Sequence, residues 1–140
     1  MVKEDCIFCK IAAGEIPSRT IYEDESFRTI LDISPASKGH AIILPKNHAA
    51  NIYELPEEDA SKIFVVAKKI ACAMKQTLQC EGLNILQNNG ELAGQTVFHL
   101  HLHVLPRYQD DKVSFSWEHG KPSEEELDAI AESIKGVFNS

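Results

Sequence analysis

The segment over residues 96–105 limits the possible folds more than any other part of the chain. It is almost entirely β-branched, aromatic, leucine or histidine, and His99, His101 and His103 alternate with apolar residues. Alternate residues of a strand share a face and lie about 6.6 Å apart. The pattern predicts a long strand that Pro106 ends, with three imidazoles in one row and the leucines facing the core.

The rest of the chain alternates short β-prone runs with helical patterns. The predicted elements are a short helix over residues 6–13, strands over 19–22, 27–31, 40–44 and 83–87, and helices over 57–78 and 123–138;. We therefore expect an α+β fold, an antiparallel sheet of about five strands with one long central helix and a C-terminal helix packed on it. All 140 residues are predicted to form one domain, with a core over residues 6–108.

Composition excludes several classes of protein. A net charge of −7 opposes broad nucleic-acid binding, which needs a basic face, but it allows a small anionic ligand. No apolar run is long enough to span a bilayer, and the charged N-terminus has no signal-peptide core. We expect a cytoplasmic protein whose four cysteines are not paired in disulfides.

The histidine row admits three interpretations. Histidines can be purely structural, although three on one apolar strand would each need a hydrogen-bond partner. They can hold a catalytic zinc ion, or a ring nitrogen can attack phosphorus, since neutral imidazole is abundant near neutral pH. The sequence contains no P-loop, dinucleotide-binding glycine motif, H-E-x-x-H or G-x-S-x-G;, which removes the commoner nucleotide and hydrolase sites.

Several separated motifs resemble one family. The run His99-Leu-His-Leu-His-Val-Leu105 has the form His-φ-His-φ-His-φ-φ, with φ apolar, and Gly94-Gln-Thr-Val precedes it. Asp32-Ile-Ser-Pro, Lys38-Gly-His, Pro45-Lys-Asn-His and the opening Cys6-Ile-Phe-Cys also occur in that family's order. The chain resembles the histidine triad (HIT) family from about Cys6 to Tyr108, and its opening is similar to bacterial members.

The resemblance implies a role for each matching residue. His101 would be the nucleophile that becomes nucleotidylated, and His103 would hydrogen-bond the α-phosphate or assist the leaving group. The nucleotide-binding residues would be Asp32 on the ribose hydroxyls, Ile33 at the base, and Asn88, Gln95 and Thr96 near the phosphate. Carboxylate acceptors and neutral amide or hydroxyl donors suit those contacts. Asp32 has a competing interpretation as an Asx-type turn that ends a strand.

The C-x-x-C pair Cys6 and Cys9 can be redox-active, metal-binding or accidental. A structural zinc ion usually takes four cysteine or histidine ligands, and the chain offers His40, His48, His99 and His119 to complete a set. The resemblance implies Cys6, Cys9, His48 and His99, which would remove His99 from catalysis. The sequence leaves the roles of His40, Arg107 and Trp117 open.

The resemblance implies a nucleotidyl hydrolase or transferase that cleaves at the α-phosphate of purine nucleotide derivatives. Its substrates would be adenosine phosphoramidates, aminoacyl adenylates or dinucleoside polyphosphates, and its copies would form a homodimer with paired sheets. Three alternatives stay open from the residues: a nucleotide-binding sensor with little turnover, a hydrolase whose triad holds catalytic zinc, and a structural zinc domain.

Overall fold

The computed structural model describes residues 2–140. Five antiparallel strands form one sheet in the order β1-β2-β3-β5-β4, as predicted. The elements are α1 (Ile7–Ala12), β1 (Thr20–Glu23), β2 (Phe27–Leu31), β3 (Ala41–Pro45), α2 (Glu57–Leu78), β4 (Gly82–Leu86), a short 3-10 helix (Glu91–Ala93), β5 (Leu102–Arg107) and α3 (Glu124–Phe138).

The long helix α2 covers one face of the sheet. Its apolar residues recur at three- and four-residue steps, so that Ile63, Val66 and Ile70 face the core. They pack against alternate strand residues such as Ile43 and Val104, both completely buried. This layer fixes β3 and β5 in the middle of the sheet, and their other face is left for the site.

The short helix α1 covers part of the opposite face. Cys6 caps its N-terminus, because the Cys6 sulfur accepts a hydrogen bond from the Cys9 amide. Gly14 ends the helix in the left-handed region, at φ 84°, where glycine has no steric penalty. Ala12 packs with Ile42 and neighbouring residues of β2 and β3, which holds the two cysteines beside the sheet.

The histidine-rich segment differs from its prediction. Only Leu102–Arg107 is a strand, and residues 96–101 leave the sheet because the Leu100 amide donates to the Ala49 carbonyl of a loop. Pro106 lies inside β5 rather than ending it. The pairing of β5 with β3 ends at Val104, so proline, which has no N–H to donate, is tolerated beyond that point.

The C-terminal helix α3 forms as predicted but does not pack on the sheet. Ser123 caps it by accepting a hydrogen bond from the Glu126 amide, which is the predicted capping interaction. Every residue of α3 is nevertheless exposed. Among residues 2–140, no helix has the length and apolar character needed to cross a membrane.

Candidate functional site

Two cysteines and two histidines meet where α1 approaches the segment before β5. The Cys9 sulfur lies 3.4 Å from Nδ1 of His48 and 3.4 Å from Nδ1 of His99. The Cys6 sulfur also lies 3.4 Å from Nδ1 of His99. The four ligand atoms are all within 4.8 Å of one another. Residues far apart in the sequence therefore present two sulfurs and two imidazole nitrogens to one point.

The geometry of this cluster fits a four-coordinate zinc ion. A tetrahedral ion with ordinary Zn–S and Zn–N bonds would hold sulfur and nitrogen about 3.6 Å apart, close to the observed 3.4 Å. The other nitrogen of His99, Nε2, lies 2.8 Å from the Pro45 carbonyl. That carbonyl requires the proton on Nε2, and Nδ1 keeps a lone pair for a metal.

His101 has its proton placed by the backbone. Its Nδ1 lies 2.7 Å from the carbonyl oxygen of His99, and a carbonyl can only accept. The ring therefore carries its proton on Nδ1 and keeps a lone pair on Nε2. Phe8 of α1 contacts the His101 ring edge-on, with centroids 5.0 Å apart, and this contact fixes the ring plane. His101 therefore presents an oriented lone pair at Nε2.

His103 is oriented through a second histidine. The Ala36 amide donates to Nδ1 of His40 at 3.0 Å, so the proton of His40 lies on Nε2. That Nε2 is 2.9 Å from Nδ1 of His103 and donates to it. His103 must then carry its own proton on Nε2. The two catalytic candidates have opposite tautomers: His101 offers a lone pair at Nε2, and His103 offers an N–H donor there.

Burial keeps the site histidines neutral. The pKa of His103 falls to about 4, chiefly because the buried ring loses hydration and secondly because of His101 and His40 nearby. Burial also lowers the pKa of His101, while the Asp32 carboxylate acts in the opposite direction. Burial likewise lowers the pKa of His99 to about 4. Neutral imidazoles can attack phosphorus and bind metals, which protonated rings cannot do.

Asp32 follows β2 at the edge of the site. Its Oδ1 accepts the Ser34 amide at 2.8 Å, which is the Asx-type turn of the competing interpretation. Its Oδ2 lies 3.7 Å from Nε2 of His40, so this oxygen faces the histidines. One carboxylate can therefore close the turn with Oδ1 and still accept a hydrogen bond from a ligand with Oδ2. Ile33 beside it is 87% exposed, an unusual position for a large apolar side chain.

The polar residues of the loop between β4 and the triad differ in how far they are buried. The Gln95 side chain is buried; its oxygen accepts the Gly90 amide, and its nitrogen donates to the carbonyls of Ala50 and Val97. The predicted phosphate contact of Gln95 does not fit these bonds, which use its amide to hold the loop. Thr96 is exposed, whereas Asn88 is partly buried.

The structure also shows roles that the sequence left open. His40 contacts His103 through the hydrogen bond above, and only the tertiary fold brings them together. Arg107 is held within the chain, because it pairs with Asp111 at 2.8 Å and donates to Asn84. Phe8 was missed, although its place between the two C-x-x-C cysteines was a signal that it lies near their ligands. Trp117 is exposed.

Comparison with known proteins identifies the class. The family model described as HIT domain matches residues 13–110. A Bacillus subtilis protein named Protein hit is 48% identical over 136 residues, covering 94% of this chain and 92% of that protein. The chain belongs to the HIT family. The adenosine 5'-monophosphoramidase hnt1 of Schizosaccharomyces pombe is 40% identical over 130 residues, covering 92% of this chain and 95% of that protein.

Solved structures share the fold. A Streptococcus mutans protein superposes with a TM-score of 0.93 at 43% identity, covering 97% of this chain and 87% of that one. A HIT family protein from Bacillus anthracis gives 0.91 at 45% identity, with 96% and 97% covered. A zinc-bound histidine triad family protein from Mycobacterium smegmatis gives 0.75 at 39% identity, with 96% of each chain covered.

Proposed function

We propose that this protein hydrolyses purine nucleotide derivatives at the α-phosphate through a nucleotidyl-histidine intermediate, with adenosine phosphoramidates as the first substrates to test. The observation that carries the proposal is the pair of opposite tautomers at His101 and His103, set by the His99 carbonyl and by His40. A lone pair and an N–H donor on adjacent rings, 4.9 Å apart between centroids, suit one phosphate group. The S. pombe monophosphoramidase is a relative with the corresponding activity in its name.

In the first step, Nε2 of His101 attacks the α-phosphorus as the bond to the leaving group breaks. The new P–N bond makes the ring a cation, because Nδ1 keeps its proton. The His99 carbonyl accepts that proton's hydrogen bond, and the Asp32 carboxylate favours positive charge on the ring. Nε2–H of His103 donates to a phosphate oxygen and stabilises the charge that develops there.

In the second step, water attacks the same phosphorus and His101 leaves with its lone pair restored. The cationic ring is a good leaving group, which is the advantage of dividing the reaction into two displacements. The departing amine takes a proton from solvent in the first step, and the attacking water returns a proton to solvent in the second, so that overall water adds a hydroxyl to phosphorus and a proton to the amine. Asp32 and Ile33 would hold the ribose and the base, and Asn88 and Thr96 would contact the phosphate. Gln95 would act indirectly, by holding the loop in place through its hydrogen bonds to the backbone.

We propose that Cys6, Cys9, His48 and His99 hold a structural zinc ion. All four positions of a tetrahedral ion would be taken by protein atoms, which leaves none for water. When bound, the ion would tie α1 to the segment before β5 and so fix the His99 carbonyl that orients His101. The zinc-bound M. smegmatis neighbour and the cluster geometry support this assignment.

We further propose a homodimer with paired sheets and a location in the cytoplasm. β4 lies at one edge of the sheet and pairs with β5 alone. Its outer side is a row of backbone donors and acceptors that a second copy could pair. The location in the cytoplasm rests on the sequence and stays a prediction.

Steady-state turnover of adenosine 5'-phosphoramidate tests the proposal. Wild type, His101→Ala and His119→Ala are compared, with AMP binding measured for each by calorimetry. His119 is an exposed histidine outside the site, so it is the matched control. We expect AMP release by wild type and by His119→Ala, and loss of turnover by a factor of about 1,000 or more in His101→Ala, since that substitution removes the nitrogen proposed to attack phosphorus.

The same experiment separates the alternatives. AMP binding without turnover in wild type would favour a nucleotide sensor instead. Wild-type turnover by His101→Ala would show that this residue is not the nucleophile. Immediate loss of turnover on chelation, without unfolding, would favour a catalytic metal. A protein without turnover and without AMP affinity would be a structural zinc domain.

A further inference from the structure

The loop that follows β4 contains an asparagine directly before a glycine, Asn89 and Gly90. Gly90 has φ +93°, a left-handed backbone conformation that glycine adopts without strain. Asn89 joins this loop to its neighbour, because its Oδ1 accepts the Ile52 amide at 2.7 Å. The loop therefore uses both residue types for its shape. Asparagine is a thermolabile residue, and a following glycine has no side chain to shield the asparagine from attack by the glycine nitrogen.

The reaction open to such a pair is deamidation without an enzyme. The backbone nitrogen of Gly90 bonds to Cγ of Asn89, and the side-chain nitrogen leaves as ammonia together with the proton that the backbone nitrogen gives up. Water then opens the resulting succinimide ring at either carbonyl and yields aspartate or isoaspartate. Overall, one water is consumed and one ammonia is released. Isoaspartate adds a carbon atom to the backbone, so this product would distort the loop that carries Asn88.

Gln95 holds the nitrogen that would attack. Its Oε1 accepts the Gly90 amide at 2.8 Å, and its own backbone amide donates to the Gly90 carbonyl at 3.0 Å. Gln95 is only 2% exposed, and its Nε2 donates to the carbonyls of Ala50 and Val97, so its side chain is fixed. A neutral amide oxygen is too weak a base to remove the proton that it binds. The Gly90 nitrogen must therefore break a buried hydrogen bond before it can attack Asn89.

Further hydrogen bonds hold the side chain of Asn89. Its amide forms a cyclic pair with the amide of Gln87, with nitrogen–oxygen distances of 2.8 Å and 2.7 Å, and its Oδ1 also accepts the Ile52 amide. Donors on Oδ1 polarise Cγ and by themselves would favour attack. Ring closure, however, requires an aligned approach of nitrogen and carbon, and a side chain held by three bonds cannot turn freely. The bond to the Gly90 nitrogen is consequently the protection that a single substitution can remove.

We infer that Asn89 and Gly90 form a latent deamidation site, and that Gln95 keeps this site closed by binding the Gly90 nitrogen. The buried glutamine thus protects the loop beside the histidines against a covalent change that begins when the loop opens. The inference depends neither on the nucleotide chemistry nor on a metal ion, so it and the proposed function can fail separately.

Peptide mass spectrometry of the aged full-length protein tests the inference. Wild type, Gln95→Leu and Ala93→Gly are incubated at slightly alkaline pH, and circular dichroism checks that each is folded. Ala93 is exposed in the same loop, so glycine there loosens the loop but keeps the Gln95 oxygen. We expect conversion of Asn89 about 10-fold faster in Gln95→Leu than in wild type, the value of one hydrogen bond. In Ala93→Gly the increase should be about 3-fold or less, and exposed Asn139 serves as the internal reference.

A second measurement uses wild type alone and stays valid if Gln95→Leu does not fold. Conversion of Asn89 should be slower by about 10-fold or more in the native protein than in concentrated urea, and amide hydrogen exchange should find the Gly90 amide protected. Equal rates at Asn89 in native and urea-unfolded wild type would overturn the inference. A rate in folded Gln95→Leu no faster than in wild type, or an equal acceleration in Ala93→Gly, would do the same.

Discussion

The hydrogen bond from His40 to His103 gives a prediction that separates catalysis from folding. The Ala36 amide and Nδ1 of His103 both depend on one ring, at 3.0 Å and 2.9 Å. An asparagine at position 40 places its oxygen near the old Nδ1, so it can still accept from Ala36 but cannot reach His103. A glutamine extends to the old Nε2, so its NH₂ can still donate to His103.

The expected loss follows from the energy of that bond. Without a donor at its Nδ1, His103 is no longer held with its proton on Nε2, and a buried acceptor is left unpaired. A neutral buried hydrogen bond contributes about 1–2 kcal/mol in this situation, which corresponds to a fall of about 5- to 30-fold in kcat/KM. We expect that fall for His40→Asn, and a kcat/KM within about 3-fold of wild type for His40→Gln.

The assay is AMP release from adenosine 5'-phosphoramidate at neutral pH, with urea unfolding of both variants as the control for stability. The two substitutions are similar in polarity, so a general loss of packing would lower both activities together. Equal activities in His40→Asn and His40→Gln would refute the tautomer argument. Wild-type activity in both would show that His103 needs no orienting partner.

Three further predictions concern pH, backbone and metal. Since burial lowers the pKa of His101 from its usual value near 6.5, the acid limb of the kcat/KM profile should be centred below pH 6.5; a pH–rate profile with its acid limb centred above 6.5 contradicts this. Gly39→Ala should lower the free energy of unfolding by about 2 kcal/mol, because Gly39 has φ +88° and an added Cβ would collide with a side chain of α2. The control is Gly120→Ala, where an added Cβ meets no atom, and its free energy of unfolding in a urea titration should change little. Cys9→Ser removes one of four ligands and should weaken zinc binding by about 3 kcal/mol or more, a quarter of the binding free energy of a four-ligand site. Elemental analysis should then find less zinc than in wild type, whereas Cys72→Ser, exposed on α2, should keep the wild-type zinc content.

Local patterns predicted the regular elements well. The bounds of α2 agree with the predicted residues 57–78, because an apolar face with a 3.6-residue period over six turns has no competing interpretation. The strands that became β1 and β2 were also predicted, and Asp24 stabilises the turn between them by accepting the amides of Ser26 and Phe27. These features depend on neighbours in the sequence, which a single chain reveals.

The misassigned features depend on contacts between distant residues. Residues 96–101 have the composition of a strand, but the cluster around Cys9 draws His99 away from the sheet, and tertiary contacts override propensity. The hydrogen bond between His40 and His103 joins residues 63 positions apart, and no local sequence pattern predicts it. Gln95 looked like a ligand contact, yet its buried amide binds the loop. For α3 the helix itself was predictable, but its exposed position away from the sheet was not.

The sequence predicted which residues form the site better than it predicted how their side chains are arranged. The resemblance named both cysteines and both histidines of the proposed metal site, and the structure brings those four together. The resemblance did not show which ring nitrogen of each histidine carries the proton. Which nitrogen of each ring is free depends on backbone carbonyls and amides, and only the folded chain places those groups.

The most direct test of the central claim is the mass of the intact protein in a reaction with adenosine 5'-phosphoramidate that is quenched with acid-free denaturant within milliseconds. The account predicts a transient population heavier by one adenylyl group, and peptide mapping should locate that group on His101. The adduct should be absent from His101→Ala and should disappear as AMP accumulates. Steady turnover by wild type with no adduct at any time, or with the adduct on another residue, would contradict the account.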